Sequence, residues 1–400
     1  MKCEEGAPTP GLRAVLLQPD MVRVFLASLF ILSQVLVSFS LVPLYIQYRG
    51  GDTFTVGLHT TIFAVSAVIL RFYFGPLADV HGRRLALAVG AFAFASANIL
   101  LLYAPNLTVM ALVRVYQAIG MASYLSSASS LVADLAPEEH RGSAIGAYRV
   151  IMPIASLLGP FTGNNLINRY GFTTFFLVMA ALSTISFVLV LSLRSGRRDP
   201  VITPVRVRPS DIAALFTVRD LRAAYTAILG ISIGGGIVNT FVTTYGNPWF
   251  FNPAVYFVAY AVSGAITAVV LGRLSDRHGR ATMILPIFFS IGAGLAILFL
   301  IDYAPWPVFL LSAALTGIGF NAGLSVFIAW VVDSTRRDLR ATALSLQESW
   351  IDGGFAVGIF LFGTLSAQFS MAPVFLGTGL VLLASSGIVC IMAGRQEGRL

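Results

Sequence analysis

Long apolar runs alternate with short polar breaks along the whole chain. Twelve runs stand out, at roughly 22–46, 56–77, 85–102, 107–132, 144–167, 173–193, 221–245, 254–274, 281–301, 307–332, 341–365 and 373–392. Each is about 20 residues long, enough to cross ~30 Å of hydrocarbon as a helix. Helix is the expected backbone because lipid cannot satisfy open backbone groups, and the runs are too long for barrel strands. One polar connection is long: Arg194–Thr217 carries Arg197, Arg198, Pro200, Arg206, Arg208 and Pro209. It predicts a first bundle over residues 1–193, a linker over 194–218 and a second bundle over 219–400. The other breaks, such as Gly50-Gly51, Ala104-Pro105-Asn106 and Ala304-Pro305, are short and place successive helices side by side.

The polar breaks repeat. Gly75, Asp79, Gly82 and Arg83 return 197 positions later as Gly272, Asp276, Gly279 and Arg280. Asp134, Arg141 and Ala144 return as Asp333, Arg340 and Ala343, shifted by 199. Two homologous halves in the same orientation are the pattern of a transporter built around a pseudo-two-fold axis. Gly75 and Gly82 permit close helix approach and a tight turn. Asp79 ends its span where a carboxylate can face the positive end of a neighbouring helix.

Composition agrees with a membrane protein, at 57% hydrophobic and only 11% charged residues over 400 positions, against about 25% charged in a soluble domain. Of the 26 basic residues, 22 fall on one side of the predicted spans. Only Arg49 and Arg169 lie on the other side, and Arg71 and Arg114 lie inside spans. The positive-inside rule then makes both termini cytoplasmic, so the net charge of +8 is a topology signal and implies no nucleic-acid partner. Residues 1–21 read as a short cytoplasmic tail and not a cleaved signal peptide. The two cysteines, Cys3 and Cys390, suggest neither a disulfide framework nor a metal cluster. His59, His81, His140 and His278 do not group at ligand spacing, so no metal is expected. No phosphate-cradling glycine loop is present, so no nucleotide cofactor is expected and a proton gradient is the expected energy source.

Charges inside spans are candidate function. Arg114 needs water or an acid, or else backbone carbonyls to hold it; a cavity-facing role is the expectation. Glu348 and Asp352 are four apart and share a helix face. Burying a carboxyl favours its protonated form, as proton coupling requires. Arg71 lies at the depth of Glu348 if Asp79 meets the start of span 11, and Asp352 is one turn deeper. Arg71 is expected to pair with Glu348 or Asp352 when the cytoplasmic side is closed, and to release it on opening. The simpler alternatives are a permanently paired acid and an arginine that reaches the headgroups. Gln34, Tyr116, Gln117, Tyr124, Asn239, Thr243, Asn321 and Trp350 are polar or amphipathic residues that suit a substrate cavity.

The doubled loop between spans 2 and 3 and between spans 8 and 9 resembles the signature loop of the major facilitator superfamily. The resemblance covers essentially the whole chain. It implies an all-α membrane fold of twelve transmembrane helices in two parallel-repeat six-helix bundles. It implies a gate in which Asp79 faces the start of span 11 and Arg83 pairs with Asp134, with Asp276, Arg280 and Asp333 repeating the arrangement. Arg277 and Ala281 replace Val80 and Arg84 in the second copy, so the two gates need not be equally strong. The segment Leu112–Gly120 resembles the span-4 arginine motif of proton-coupled members, with Ala118 where a glycine is usual. Gly159-Pro160-Phe-Thr-Gly163-Asn164 resembles part of the glycine-proline motif of drug/proton antiporters, with Ala155 and Asn164 in place of glycines. That face is expected to lie at the domain interface, with ordinary tight helix packing as the alternative.

These features predict a secondary active transporter of the cytoplasmic membrane, a monomer exporting a small, partly apolar organic molecule by alternating access and proton coupling. The alternative is proton-coupled uptake of a sugar or organic acid. A membrane enzyme would need a convergent catalytic set, and a sensor would need a signalling domain; neither is seen in the sequence.

Overall fold

A computed structural model describes residues 11–194, 215–336 and 339–394, without the side chains of Gly75, Pro76, Asp79, Ser126, Glu138 and Ala341. Most of the predicted linker therefore lies outside the described residues. Among the described residues the chain is helical throughout. We number the long helices α1 (Pro19–Ser40), α2 (Thr53–His81), α3 (Arg83–Tyr103) and α4 (Leu107–Leu135). A short helix, Arg141–Arg149, leads into Ile151–Leu191, which breaks at Gly171 into α5 (151–170) and α6 (172–191). The second half holds α7 (Arg219–Gly246), α8 (Val255–His278), α9 (Ala281–Leu300), α10 (Pro305–Asp333), α11 (Arg340–Phe369) and α12 (Met371–Ala393). Among the described residues ten continuous helices are long and apolar enough to cross a membrane, with α5 and α6 counted as one. The 29-residue α4 is a further long helix.

The punctuation is local chemistry. Pro43 has no N–H to return to Phe39, so α1 breaks after Ser40 before continuing as Val42–Tyr48. Gly82 and Gly279 join α2 to α3 and α8 to α9 with φ of 92° and 90°, values that favour glycine. The repeat extends further than the sequence shows. Gly171 between α5 and α6 has φ 79° and ψ 174°; Ser370, 199 positions on between α11 and α12, has φ 65° and ψ 167°. Arg23 donates to Ser192 O at the end of α6, while Arg219 donates to Ile391 O and Met392 O at the end of α12. Cations at the last carbonyls suit a helix C-terminus.

Within the first half α1 packs on the α5–α6 helix, α2 and α3 on α4, and α3 on the α5–α6 helix. Within the second half α7 packs on α11 and α12, α9 on α12, and α8 and α9 on α10. The halves meet where α2 faces α11, α5 faces α8 and α1 faces α7. Gly234, Gly235 and Gly236 let three neighbours approach α7 at once: a Cβ on them would meet Ile291, Phe320 and Phe355 within 2.6–2.8 Å. They are closely packed helix positions. We call the side carrying the signature loops the basic face.

Candidate functional site

The signature loops form the expected pairs. Arg83 Nε lies 2.7 Å from Asp134 Oδ2, and Arg280 Nε lies 3.0 Å from Asp333 Oδ2. In each half the arginine opens one helix and the acid ends another, so the pair ties a loop to a helix end. The acids are about half exposed, and such pairs add little stability by themselves. Arg280 also holds Asp276 at 2.6 Å and Ser275 Oγ at 2.6 Å, within its own half. The copies differ at the next residue, where Arg84 reaches Leu191 O, a contact Ala281 cannot reproduce. Gly75 and Asp79, on which the gate expectation rests, lie outside the described side chains. Gly272 does not mediate close approach: a Cβ there would meet nothing within 4 Å.

Arg114 departs from expectation. It does not face a cavity; its exposure is zero. It donates to Ser38 O at 3.0 Å and Gln117 Oε1 at 2.5 Å, with a long approach to His59 O at 3.5 Å. Its guanidinium lies over the Phe63 ring, 4.2 Å from the centroid. Backbone carbonyls, an amide and an aromatic face satisfy the cation without an acid.

Several cavity candidates are consumed in the same way. Gln117 donates to Ser38 Oγ as well as holding Arg114. Gln34 bonds Met179 O and Asn98, and Tyr124 meets Ser28. All three are buried inside the first half. Tyr116 pairs with Ser96 of α3 at 2.8 Å. Asn239 is buried and donates to Gly235 O in its own helix. Trp350 stacks on Tyr225, with centroids 6.2 Å apart and planes at 15°. Asn321 is half-buried on a π-turn, Ile318–Ala322, inside α10, a type of irregularity frequent at functional sites.

The remaining interior charges meet between the halves. Arg71 of α2 approaches Asp352 of α11, with Nη1 2.6 Å from Oδ2. Their side chains keep only 19% and 11% of their exposure. The contact is an ion pair by distance, but Oδ2 lacks a well-angled hydrogen bond. Glu348, one turn nearer the basic face, forms no ion pair among the described residues and is solvent-exposed. Gln347 Nε2 is 3.4 Å from it.

On the face opposite the loops, polar side chains cross between the halves. Thr243 Oγ1 donates to Ser40 O at 2.6 Å. Asn164 Nδ2 donates to Asn252 Oδ1 at 2.8 Å, and Asn252 Nδ2 donates to Phe161 O at 3.2 Å. Asn168 donates to Phe251 O. Nearby, a Cβ on Gly57 of α2 would lie 3.0 Å from the Gly363 Cα of α11. Thr243, expected in a cavity, instead bonds across the halves, and the asparagines are functional candidates that the sequence does not single out. Their signal was weak: Asn164 stood only as a departure from a glycine motif. The glycines of that motif do not face the other half; Gly159 packs on Ser33 of α1.

The expected pair of Arg71 with an acid of α11 is formed, while polar bonds also cross between the halves on the opposite face. Arg71 chooses Asp352, the deeper acid, and leaves Glu348 to solvent.

Known proteins are similar to this chain in sequence and in fold. Multidrug resistance protein MdtG of Enterobacter lignolyticus is 25% identical over 367 residues, covering 86% of each chain. MdtG of Salmonella paratyphi A is 26% identical over 364 residues, covering 86% of this chain and 89% of the relative. The crystal structure of the nucleoside transporter NupG superposes with a TM-score of 0.75 at 15% identity, covering 93% of this chain and 98% of that one. The peptide transporter POT, in complex with sulfate, gives 0.73 at 14% identity, covering 93% and 95%. At such identities the solved structures speak for the fold alone. The family description for the Major Facilitator Superfamily matches residues 24–253 and 254–398. Sequence repeat, helical architecture and family match agree: this chain is a membrane transporter of the Major Facilitator Superfamily.

Proposed function

We propose that the protein exports a small, partly apolar organic molecule in exchange for protons, with its basic face and both termini in the cytoplasm. The single observation carrying this reading is the Arg71–Asp352 ion pair, which joins α2 and α11 across the two halves. A carboxylate held by an arginine at the moving interface senses both proton occupancy and helix separation. With Asp352 ionised, attraction to Arg71 favours the arrangement described here, whose opposite face is sealed. A proton added to Asp352 removes that attraction and leaves α2 and α11 freer to separate. On the outward leg substrate is carried and release of the latch around Asn164 and Asn252 opens the opposite face. On the return leg a proton taken up by Asp352 at that face is carried inward and lost as the Arg71 pair re-forms, in a rocking of one half against the other. The similarity to MdtG, named for multidrug resistance, supports export over uptake. The signature loops are assigned to close the basic side in the alternate state, Asp79 against the start of α11, with the Arg83–Asp134 and Arg280–Asp333 pairs bracing each loop within its own half. The bundle boundaries at 193 and 219 and a monomeric state complete the reading.

The test is transport in proteoliposomes under an imposed proton gradient. Asp352→Asn is expected to retain substrate exchange and to lose gradient-driven accumulation. Full proton-driven transport by this variant would remove Asp352 from coupling. Accumulation that follows an imposed substrate gradient but ignores pH in the unaltered protein would remove proton exchange itself.

A further inference from the structure

We propose that Glu348 is the charge-selecting group of the transport path, and that the substrate class is an organic cation carrying apolar, preferably aromatic, groups. The inference rests on the transport reading above but not on its proton coupling or its direction.

Among the described residues the interior charges are satisfied within the protein at all but one position. Arg114 is fully buried inside the first half and saturated by acceptors, so no substrate meets it. Arg71 and Asp352 neutralise each other at 2.6 Å. That leaves Glu348, eight residues into α11 and so ~12 Å from its start. Its exposure does not reflect contact with lipid. Gly363 and Asp352 mark the α11 stripe that meets α2 of the other half. Glu348 precedes Asp352 by one turn and shares that stripe. Solvent therefore reaches Glu348 between the halves. An ionised carboxylate at this depth is costly unless it faces water or a cation.

The other charges whose field reaches Glu348 are Asp352 on its own helix, Arg71 on α2 and Arg149 at the end of the short helix before α5. Arg71 is already engaged. Arg149 is exposed, and no ion pair joins it to Glu348. Water screens a cation in that position. Among the described residues Glu348 is thus the one interior charge with neither an ion pair nor a saturated set of hydrogen bonds.

The surroundings add the apolar requirement. Phe355 lies seven residues beyond Glu348 on the same helix face, ~10 Å deeper. Its half-buried ring packs against Phe39 of α1, with centroids 5.7 Å apart, and Phe320 of α10, at 5.5 Å. An aromatic roof that spans both halves thus stands two turns from a carboxylate. A cation with aryl substituents matches both ends: the charge meets Glu348 and the rings meet the aromatic roof. Gln347 is buried and its Nε2 points to Glu348, so the acid's position is supported from behind.

Tetraphenylphosphonium and tetraphenylborate separate charge from shape, because they are nearly the same size and opposite in charge. Binding to the purified full-length protein is measured for both, without a membrane gradient, beside Glu348→Gln and Glu348→Asp. The unaltered protein is expected to prefer the phosphonium. Glu348→Gln should weaken phosphonium binding by ~10-fold or more, the order expected when one member of a partly desolvated charge pair is lost. Borate binding should stay unchanged or tighten, and Glu348→Asp, which keeps the charge, should bind the phosphonium between the two. Thermal unfolding of each variant reports whether it is folded. Equal binding of the two ions, preference for the borate, binding of neither, or a folded Glu348→Gln with unchanged phosphonium affinity would overturn the proposal. Because no proton gradient enters this measurement, its failure is distinct from loss of coupling in Asp352→Asn.

Discussion

Arg114 shows how a residue's surroundings decide its role. An arginine inside a span invites a functional reading, yet every contact it makes is internal to one half. It joins Ser38 of α1 and His59 of α2 to its own helix α4. Removal would leave buried acceptors unpaired, each costing about 1–3 kcal/mol. Arg114→Ala is therefore expected to lower thermal stability and folded yield in detergent, by several kcal/mol if both the carbonyl and Gln117 lose their donor. Arg114→Lys should recover only part of this, because a single ammonium cannot reproduce the planar fork. A folded Arg114→Ala protein of unaltered melting temperature that fails only in transport would reverse the assignment and return Arg114 to the pathway.

Among the elements, the two junctions α5–α6 and α11–α12 are the same turn written with different residues. Gly171 takes a backbone conformation that glycine tolerates; Ser370 takes it at φ 65° and ψ 167°, a region nearly exclusive to glycine. The serine side chain makes that turn strained, by about 1–3 kcal/mol. Ser370→Gly is expected to raise the melting temperature, with a net gain of about 1 kcal/mol after the added freedom of the unfolded chain is subtracted. The control is Gly171→Ser, which should fall by a similar amount. Equal melting temperatures for all three proteins would show that the turn carries no strain.

For the whole molecule, the polar bonds on the opposite face predict a lock. Asn164 and Asn252 belong to different halves and touch at 2.8 Å. Cysteines introduced as Asn164→Cys and Asn252→Cys, with Cys3 and Cys390 replaced by serine, should cross-link under mild oxidation. Transport should stop while the link is present and return after reduction. A cross-linked protein that transports at the uncross-linked rate would show that this face does not open. The latch and the Arg71–Asp352 pair act on the same motion from different depths, so their effects on transport should not add independently.

The sequence by itself determined the helices, the duplication and the family. Apolar runs long enough to cross a bilayer leave the backbone one hydrogen-bonding solution, and glycines at Gly82 and Gly279 set the loop turns. The pairs Arg83–Asp134 and Arg280–Asp333 were legible because both partners repeat with the same spacing. The tertiary structure decided which way each interior polar residue points. Hydropathy cannot separate a lipid-facing side chain from a core one, since both environments are apolar. Gln34, Gln117 and Tyr124 thus entered the body of the first half, although their sequence positions equally suited a cavity. The Arg23 and Arg219 caps stayed hidden because their partners are backbone carbonyls, which every residue carries. Arg71 chose Asp352 over Glu348 through a difference of one helical turn, a relative register of α2 and α11 that only their packing sets.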